Sequence, residues 1–412
     1  MNAEVVTVGT ELLLGFTIDT NGAEIAQQLA AIGIRVTHRA TVPDQGEPIR
    51  DAVAAALGRT GTVIVTGGLG PTRDDITKHA VAELFAVPVD FDEGLWEALL
   101  ERYRRVGRVP VAGNRTQAEV PRGAEVMRNR WGSAPGLWLE QAGRGLVIML
   151  PGVPHEMRNL LEHEVVPRLA RRTTGGVIRS RTLRTTGVAE SALAEQLGEI
   201  ERDVAPLTLA YLPQVTGVDL RLTAWGMAGD EADVLLARGA ERVRSHAGRA
   251  VYGEGDEDLA ALVLEHARRA GVRIVTAESC TGGMVGARLT DTPGSSDVFE
   301  GGVVCYSYAS KTSLLGVPAA LIEQHGAVSE PVSRAMAAGA VERLGGDLSV
   351  AVTGIAGPDG ATPDKPVGTV CFATSYRGEV RSSRTVFMGT RGEVRARATH
   401  AALRLLELRL LG

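Results

Sequence analysis

The chain has 412 residues, 44% of them hydrophobic and 23% charged, with a formal net charge of −5. That length exceeds one ordinary hydrophobic core and calls for two or three domains. The mildly acidic total is the opposite of the basic stripe expected of a dedicated nucleic-acid binder.

Three cysteines, Cys280, Cys305 and Cys371, form no C-x-x-C pair, so neither a zinc site nor a disulfide framework is expected, and a reducing cytosol fits. Met1-Asn2-Ala3-Glu4 lacks the basic start and apolar core of a secretory signal. No apolar run reaches membrane-spanning length, which argues for a cytoplasmic protein without a membrane partner. The 50 glycines cluster at strand ends, where α/β proteins build ligand loops.

Glu4 to Val8 reads as a strand that runs into Gly9-Thr10-Glu11-Leu12-Leu13-Leu14-Gly15, and Asp19-Thr20-Asn21 caps a helix through Gln28 or Leu29. A second strand spans Ile34 to Thr37, a second helix Ile49 to Leu57, and a third strand Val63 to Thr66. The third strand opens into Gly67-Gly68-Leu69-Gly70-Pro71-Thr72-Arg73-Asp74-Asp75-Ile76-Thr77. Strands alternating with helices imply a doubly wound, mostly parallel sheet with its ligand at the carboxyl ends of the strands. Gly67, Gly68 and Gly70 let the backbone approach a ligand, with Thr72 beside them. Asp74 and Asp75 add hard oxygen ligands for a divalent metal such as Mg2+. The plainer account is a glycine-rich turn with acids at a helix start. His155-Glu156 is no zinc-protease helix, because Asn159 stands where the second His would be.

Arg171-Arg172-Thr173-Thr174-Gly175-Gly176 is a polar hinge, which sets a first domain at 1–170 and a small α+β module at 171–252. The module holds strands at Ile178–Thr185 and Val218–Ala224 and helices at Ser191–Glu199 and Glu231–Ser245. Gly226-Met227-Ala228-Gly229 matches the KH loop in letters only, since it follows a strand and precedes Asp230-Glu231. No direct nucleic-acid partner is expected, and the module reads as a structural or dimer-forming spacer.

Gly253-Glu254-Gly255-Asp256-Glu257-Asp258 reads as an acidic linker into a third domain, 253–412, an α/β segment that begins with the amphipathic stretch Leu259 to Ala270. The organising stretch is Thr276-Ala277-Glu278-Ser279-Cys280-Thr281-Gly282-Gly283, between a short buried strand at Val272–Val275 and a helix from Met284. A strand that restarts as a helix leaves backbone N–H donors free for a phosphate or an oxyanion. Two nucleophilic side chains, Ser279 and Cys280, stand beside them, although a simple helix cap is an equally ordinary role for Ser. Strands follow at Gly301–Tyr306, Leu348–Val352 and Val367–Thr374, and Arg391–Leu410 closes the chain as a helix. A serine needs a base, and with no His near the loop a desolvated lysine such as Lys311 can serve. Tyr306 and Lys311 lie five apart and Tyr308 and Lys311 three, which does not fit the Tyr–Lys spacing of short-chain dehydrogenases.

These motifs resemble those of the CinA (competence/damage-inducible protein A) family. The N-terminal set is Gly9-Thr10-Glu11-Leu12-Leu13, Gly15, Asp19, Asn21, Gly67 to Thr72 with Asp74-Asp75 and Thr77, Asn114, Gln117-Ala118, Gly132 to Gly136, and Leu150 to Pro154 with Glu156-Met157. It is similar to molybdopterin-binding-type domains, and Gly187 to Ser191 resembles the start of the family's KH-like middle segment. The C-terminal set is Ala277 to Gly283, Pro293-Gly294-Ser295-Ser296, Tyr306-Ser307 with Lys311, His325 to Ser329, Gly354-Ile355-Ala356-Gly357-Pro358 and Pro366 to Val370.

The resemblance implies a homodimer with two hydrolytic heads. The first would be a metal-dependent pyrophosphatase cleaving ADP-ribose to AMP and ribose 5-phosphate. The second, without a cofactor, would deamidate nicotinamide mononucleotide (NMN) to nicotinate mononucleotide and ammonia. By the same resemblance Ser279 is the nucleophile, with Tyr306 and Lys311 assisting proton transfer. Thr281, Gly282, Gly283, Ser295, Ser296, Gly354, Ile355, Ala356 and Gly357 shape the nucleotide site, and Arg391 is a phosphate partner. Three positions depart from the family pattern: Thr116 stands where Lys is common, Ser133 for Thr, and Tyr308 for Asn. The alternatives are a catalytically weak nucleotide- or pterin-binding regulator and an accessory protein of competence or DNA repair.

Overall fold

Successive apolar residues in the first strands point into two different cores. Val5 and Ile64 pack with Ile25, Leu29, Ile148 and Met157, whereas Val6, Val63 and Val65 pack with Ile49, Val53, Val81 and Phe85. A strand with both faces covered reads as an uninterrupted apolar run, and β1 (Asn2–Val8) is buried from Ala3 onward. β2 (Arg35–Val42), β3 (Thr62–Thr66), β4 (Val89–Phe91), β5 (Glu119–Pro121), β6 (Glu125–Met127), β7 (Gly136–Gln141) and β8 (Gly145–Leu150) follow. Six of these strands form one sheet in the order β2-β1-β3-β8-β7-β6, and β4 pairs with β5. The first four are parallel, and β7 and β6 extend the sheet antiparallel. The chain passes from β1 outward to β2 and then back across to β3, so the strand order reverses between β1 and β3. That crevice, at the carboxyl ends of the strands, is where doubly wound sheets bind ligands.

In the computed structural model, residues 1–105, 107, 109–173 and 176–412 are described. Thr174 and Gly175 of the expected hinge lie outside the described residues. The chain divides into two compact units, Met1–Arg179 with Thr223–Leu235 and Ser180–Leu222 with Leu236–Gly412. A four-stranded sheet contains β9 (Val177–Thr185), β10 (Thr208–Pro213), β11 (Val218–Met227) and β12 (Val251–Glu254) in the order β10-β11-β9-β12. β12 departs from the sequence expectation. The stretch expected to be an acidic linker starts inside a strand, with Gly253 opposite Arg184 and Glu254 opposite Leu183. Only its end behaves as a connector, where Asp258 caps the helix Leu259–Ala270 by accepting from the N–H groups of Ala260 and Ala261. Gly226 to Gly229 covers the end of β11 and the start of the helix Gly229–Ala247, not a turn between two helices.

The last sheet comprises β13 (Ile274–Glu278), β14 (Phe299–Val304), β15 (Leu348–Gly354), β16 (Thr369–Tyr376) and β17 (Glu379–Val386), in the order β14-β13-β15-β16-β17. β14, β13 and β15 are parallel, and β16 and β17 are antiparallel. Its strands also alternate between two cores. Ile274, Val350 and Val352 face the helices Leu259–Ala270 and Arg391–Leu411, while Val275, Ala277 and Ala351 face the helix Glu330–Leu344. Among the described residues no helix is long and apolar enough to cross a membrane.

Candidate functional site

β13 carries Ser279 to the carboxyl edge of the last sheet. Ser279 N donates to Val352 O at 2.9 Å, which fixes the serine at the point where β13 leaves β15. Gly282 and Gly283 have φ of 64° and 93°, a turn only glycine adopts freely, and the helix Met284–Thr290 starts directly behind. The donors of that turn are not free, contrary to the sequence expectation. Glu278, only 2% exposed, accepts from the N–H groups of Gly283 (3.0 Å), Val285 (3.1 Å) and Gly286 (2.9 Å). Its carboxylate occupies the anion site that the helix N-terminus offers. Arg395 closes the loop from the opposite side, donating from Nε to Cys280 O at 3.1 Å and from Nη2 to Thr281 O at 2.9 Å.

Lys311 is 1% exposed, and its Nζ lies 3.0 Å from Ser279 Oγ, 2.7 Å from Cys305 O and 3.3 Å from Tyr306 O. Burial lowers its pKa from the ordinary lysine value. A neutral amine has two N–H donors and one lone pair. With its N–H groups on the two carbonyls, the neutral form has its lone pair free to accept from the Ser279 hydroxyl, whereas the ammonium donates to all three oxygens. Ser307 begins the helix Tyr308–Leu315 by accepting from Ser310 N, which points Lys311 inward at the first turn. Burial pushes the neighbouring Cys280 thiol in the other direction, up to about 12, so it stays protonated near neutral pH.

The loop after β15 completes the group. A Cβ added to Gly354 would lie 3.0 Å from Cys280 Sγ, so a side chain at 354 would crowd the nucleophile loop. Arg391 Nη1 donates to Gly357 O at 2.7 Å, and Arg391 Nη2 lies 3.4 Å from the Tyr306 hydroxyl. A capping box between Thr390 and Glu393 sets the start of that helix, and Arg391 and Arg395 project one turn apart from it. Tyr306 therefore meets Lys311 through its main-chain carbonyl, and its hydroxyl faces Arg391 instead. Thr281 Oγ1 is buried beside this loop without a hydrogen-bond partner among the described residues.

Ser295 and Ser296 lie away from the Ser279 loop, contrary to the sequence expectation. They sit in the short turn Ser295–Asp297 that precedes β14, and Val298 O accepts from Ile274 N at the amino end of β13. Since β13 and β14 are parallel, that is the opposite end of the sheet from Ser279. Within the chain they do not line the Ser279 site.

In the first sheet, Gly67 follows β3 so closely that an added Cβ would meet Val8 O at 2.3 Å, and Thr77 Oγ1 donates to Gly67 O at 2.9 Å. Gly68 is crowded by the same Thr77 hydroxyl, and an added Cβ at Gly70 would lie 2.6 Å from Asp75 Oδ2. Thr72 donates to Asp75 Oδ2 from its N–H at 2.7 Å and its hydroxyl at 2.6 Å, and its hydroxyl beside the exposed Asp74 holds that carboxyl below the usual carboxylate range. Among the described residues no group of three or more His, Cys, Asp or Glu could hold a metal ion. Two adjacent carboxylates still fit a cation that takes its remaining ligands from phosphate and water. Asn114, Gln117 and Ser133 form one chain of hydrogen bonds, Asn114 Nδ2 to Gln117 Oε1 at 3.2 Å and Gln117 Nε2 to Ser133 Oγ at 3.1 Å. The carbonyl of Thr116 accepts from buried Lys78, whose pKa burial lowers to about 8.

Glu278, Arg395 and Lys78 carry roles that the sequence motifs alone did not assign to them. Arg395 alone had a signal, lying one helical turn beyond Arg391.

Three family profiles cover the chain: "Probable molybdopterin binding domain" at residues 4–171, "Damage-inducible protein CinA KH domain" at 180–253 and "CinA C-terminal domain" at 256–410. The chain is 52% identical over 406 residues to a CinA-like protein of Gemmatimonas aurantiaca, across 98% of this chain and 95% of that one. The chain belongs to the CinA family. It is also 43% identical to a CinA-like protein of Chlorobaculum tepidum, over all of this chain and 99% of the relative. A crystal structure of competence damage-inducible protein A from Klebsiella pneumoniae is 37% identical, covering 37% of this chain and 95% of its own, with a TM-score of 0.36.

Proposed function

We propose that this family member is a two-headed, cytoplasmic pyridine-nucleotide hydrolase. The C-terminal head would convert NMN to nicotinate mononucleotide and ammonia. The N-terminal head would cleave ADP-ribose to AMP and ribose 5-phosphate.

The observation that carries the first reading is the 3.0 Å approach of buried Lys311 Nζ to Ser279 Oγ. Neutral Lys311 takes the hydroxyl proton as Ser279 Oγ bonds to the amide carbon. The resulting ammonium returns that proton to the departing nitrogen, and ammonia leaves an acyl-serine ester. Water then attacks the ester as Lys311 accepts its proton, the acyl C–Oγ bond breaks, and Lys311 returns the proton to Ser279 Oγ as the carboxylate product is released. Cys280 stays a neutral thiol and packs beneath Gly354. Arg391, on the rim with Gly357, supplies the positive charge for the mononucleotide phosphate. The test is ammonia release from NMN by the purified full chain. Activity in Cys280→Ala but not in Ser279→Ala supports the serine, and the reverse pattern makes the enzyme a thiol amidase.

For the N-terminal head, Asp74 and Asp75 would hold a divalent cation, Mg2+ or similar, which neutralises charge on the pyrophosphate. The glycines of Gly67–Gly70 bring the main chain close to the phosphates. ADP-ribose cleavage that is lost in chelator and restored by added cation supports this reading. A homodimer without a nucleic-acid partner is the assembly proposed for the whole chain.

A further inference from the structure

β17 is an edge strand of the last sheet, and its two faces meet different surroundings. Val380 packs against the core under the helix Glu330–Leu344, and Ser382 Oγ donates to Glu330 Oε2 at 3.1 Å. Arg381 and Ser383 point the other way, opposite Thr374 and Phe372 of β16. On that face the core beneath the helix Arg391–Leu411 takes Val370 and Phe372 from β16 but no residue of β17. A cavity of about 210 Å3 remains there. It is lined by Arg381 and Ser383 of β17, by Leu405, Leu408 and Arg409 of the helix, and by Arg249 from the turn before β12, among others.

Charge around this cavity is unevenly matched. Arg409 donates to Glu379 Oε2 at 2.9 Å and to the carbonyls of Tyr376 and Glu379 at 3.2 and 3.0 Å. Arg381 donates to both oxygens of the same carboxylate, at 2.8 and 3.0 Å. One carboxylate therefore serves two guanidiniums. Arg249 is exposed, and its side chain has no hydrogen bond or ion pair among the described residues. The hydroxyl of half-buried Ser383 has none either. Gly412 also borders the cavity, and a carboxylate there still leaves one positive charge in surplus.

These walls select an anion with an apolar body. Half-buried Leu405 and Leu408 gain nothing from inorganic phosphate, and a neutral apolar molecule leaves Arg249 without a partner. A guanidinium fork matches the geometry of a carboxylate. The volume is below the roughly 300–1,000 Å3 of a site for a drug-sized ligand, so the body is a single ring and a mononucleotide does not fit. The cavity is also distinct from the Ser279 site. Arg409 lies fourteen residues beyond Arg395 on one helix, about 21 Å at 1.5 Å per residue.

We propose that this cavity binds a small ring monocarboxylate, its carboxylate on Arg249 and Arg381 with the Ser383 hydroxyl, and its ring against Leu405 and Leu408. The proposal does not depend on either hydrolytic reading.

The test is calorimetric titration of the full chain with benzoate, its neutral counterpart benzamide, and inorganic phosphate, using wild type, Arg249→Gln and Leu408→Ser. Arg249 is exposed, so Arg249→Gln keeps the fold and carries the result if Leu408→Ser does not fold. Wild type should bind benzoate at millimolar concentration, about tenfold or more tighter than benzamide or phosphate. Each substitution should weaken benzoate about tenfold, and Arg249→Gln should change benzamide less than about twofold. Three results overturn the site: no benzoate binding to wild type at about 10 mM, equal affinity for benzamide or phosphate, or benzoate affinity unchanged in Arg249→Gln. Benzoate that competes with NMN for ammonia release equally in wild type and Arg249→Gln would place the ligand at Ser279 and overturn it as well.

Discussion

Replacing Lys311 by Met separates a catalytic lysine from a structural one, because activity and stability respond differently to pH. Met keeps the length and apolar stem but cannot accept the Ser279 proton. A general base contributes about a hundred- to ten-thousand-fold to the rate. Ammonia release from NMN should fall by that factor, which is about 3 to 5 kcal/mol of barrier. For wild type, kcat/KM should rise with pH as Lys311 loses its proton, with a midpoint below the ordinary lysine value of 10.5, because burial lowers it. The stability sign follows from the same shift. Between the lowered folded value and 10.5 the unfolded chain binds more protons than the folded one, so folding gains stability as pH rises through that window. Below the folded value the cost of burying the ammonium is fully present. The variant lacks this term, so wild type should gain Tm relative to Lys311→Met as pH rises, by up to about 1.4 kcal/mol per pH unit. At about 2–4 °C per kcal/mol the change is readily measured by scanning calorimetry. Ammonia release within threefold of wild type would refute the base. A dead variant whose Tm difference ignores pH would show that Lys311 remains charged and acts only electrostatically.

Other outcomes follow from the same geometry. Asp75→Asn should impair ADP-ribose cleavage in added Mg2+ and leave ammonia release unchanged. Equal activity of wild type in excess EDTA would remove the metal from the N-terminal head. Glu278→Ala removes the acceptor of three N–H groups, of which the buried one on Val285 costs about 1–3 kcal/mol when left unpaired and the part-buried ones on Gly283 and Gly286 less. Its Tm should therefore drop by several degrees and kcat with it, and a variant with wild-type Tm would show the turn holding itself. Gly354→Val, which places a branched side chain against Cys280 Sγ and the β16 backbone, should raise KM for NMN more than it changes ADP-ribose cleavage, as steady-state assays of both substrates would show. The full chain should scatter light as a dimer and bind single-stranded RNA without a steep salt slope, and a strong slope would contradict the spacer role of the middle module.

What was legible in the sequence was periodicity and the strand-end loops. Leu259–Ala270 has the helix bounds expected of it because an acidic cap precedes it and Gly271 adopts the left-handed cap conformation behind it. The antiparallel edge was not legible. β17 pairs with β16 along its whole length, yet its sequence, Glu379-Val380-Arg381-Ser382-Ser383-Arg384, is the polar pattern of an edge strand and resembles a loop. β12 was hidden for the same reason, since Gly253 and Glu254 carry little β-propensity and are held by pairing with β9. Ser295 and Ser296 failed differently. A motif adjacent in sequence to a reactive loop can lie at the other end of a parallel sheet, because each crossover returns the chain to the amino edge.

Glu278 shows how a local rule can hold while its functional consequence changes. The strand-to-helix turn does gather N–H donors at the start of a helix, as the sequence implied. The residue before Ser279 fills that position with the protein's own carboxylate, and three hydrogen bonds there make the turn rigid. The donors that would otherwise receive a phosphate instead hold the serine in place. A mononucleotide phosphate at this site must then be met by side-chain cations on the rim. Arg391 is already fastened to Gly357 O, and Arg395 is committed to the carbonyls of Cys280 and Thr281. The two arginines on one helix therefore divide the work by position. Arg395 fixes the loop from below, and Arg391, on the rim beside the Tyr306 hydroxyl, is the one placed to meet an anion. Arg391→Gln should consequently raise KM for NMN about tenfold or more, as expected for a charge-assisted contact, while Arg395→Gln should lower kcat and Tm together. Identical effects of the two substitutions on KM would overturn this division.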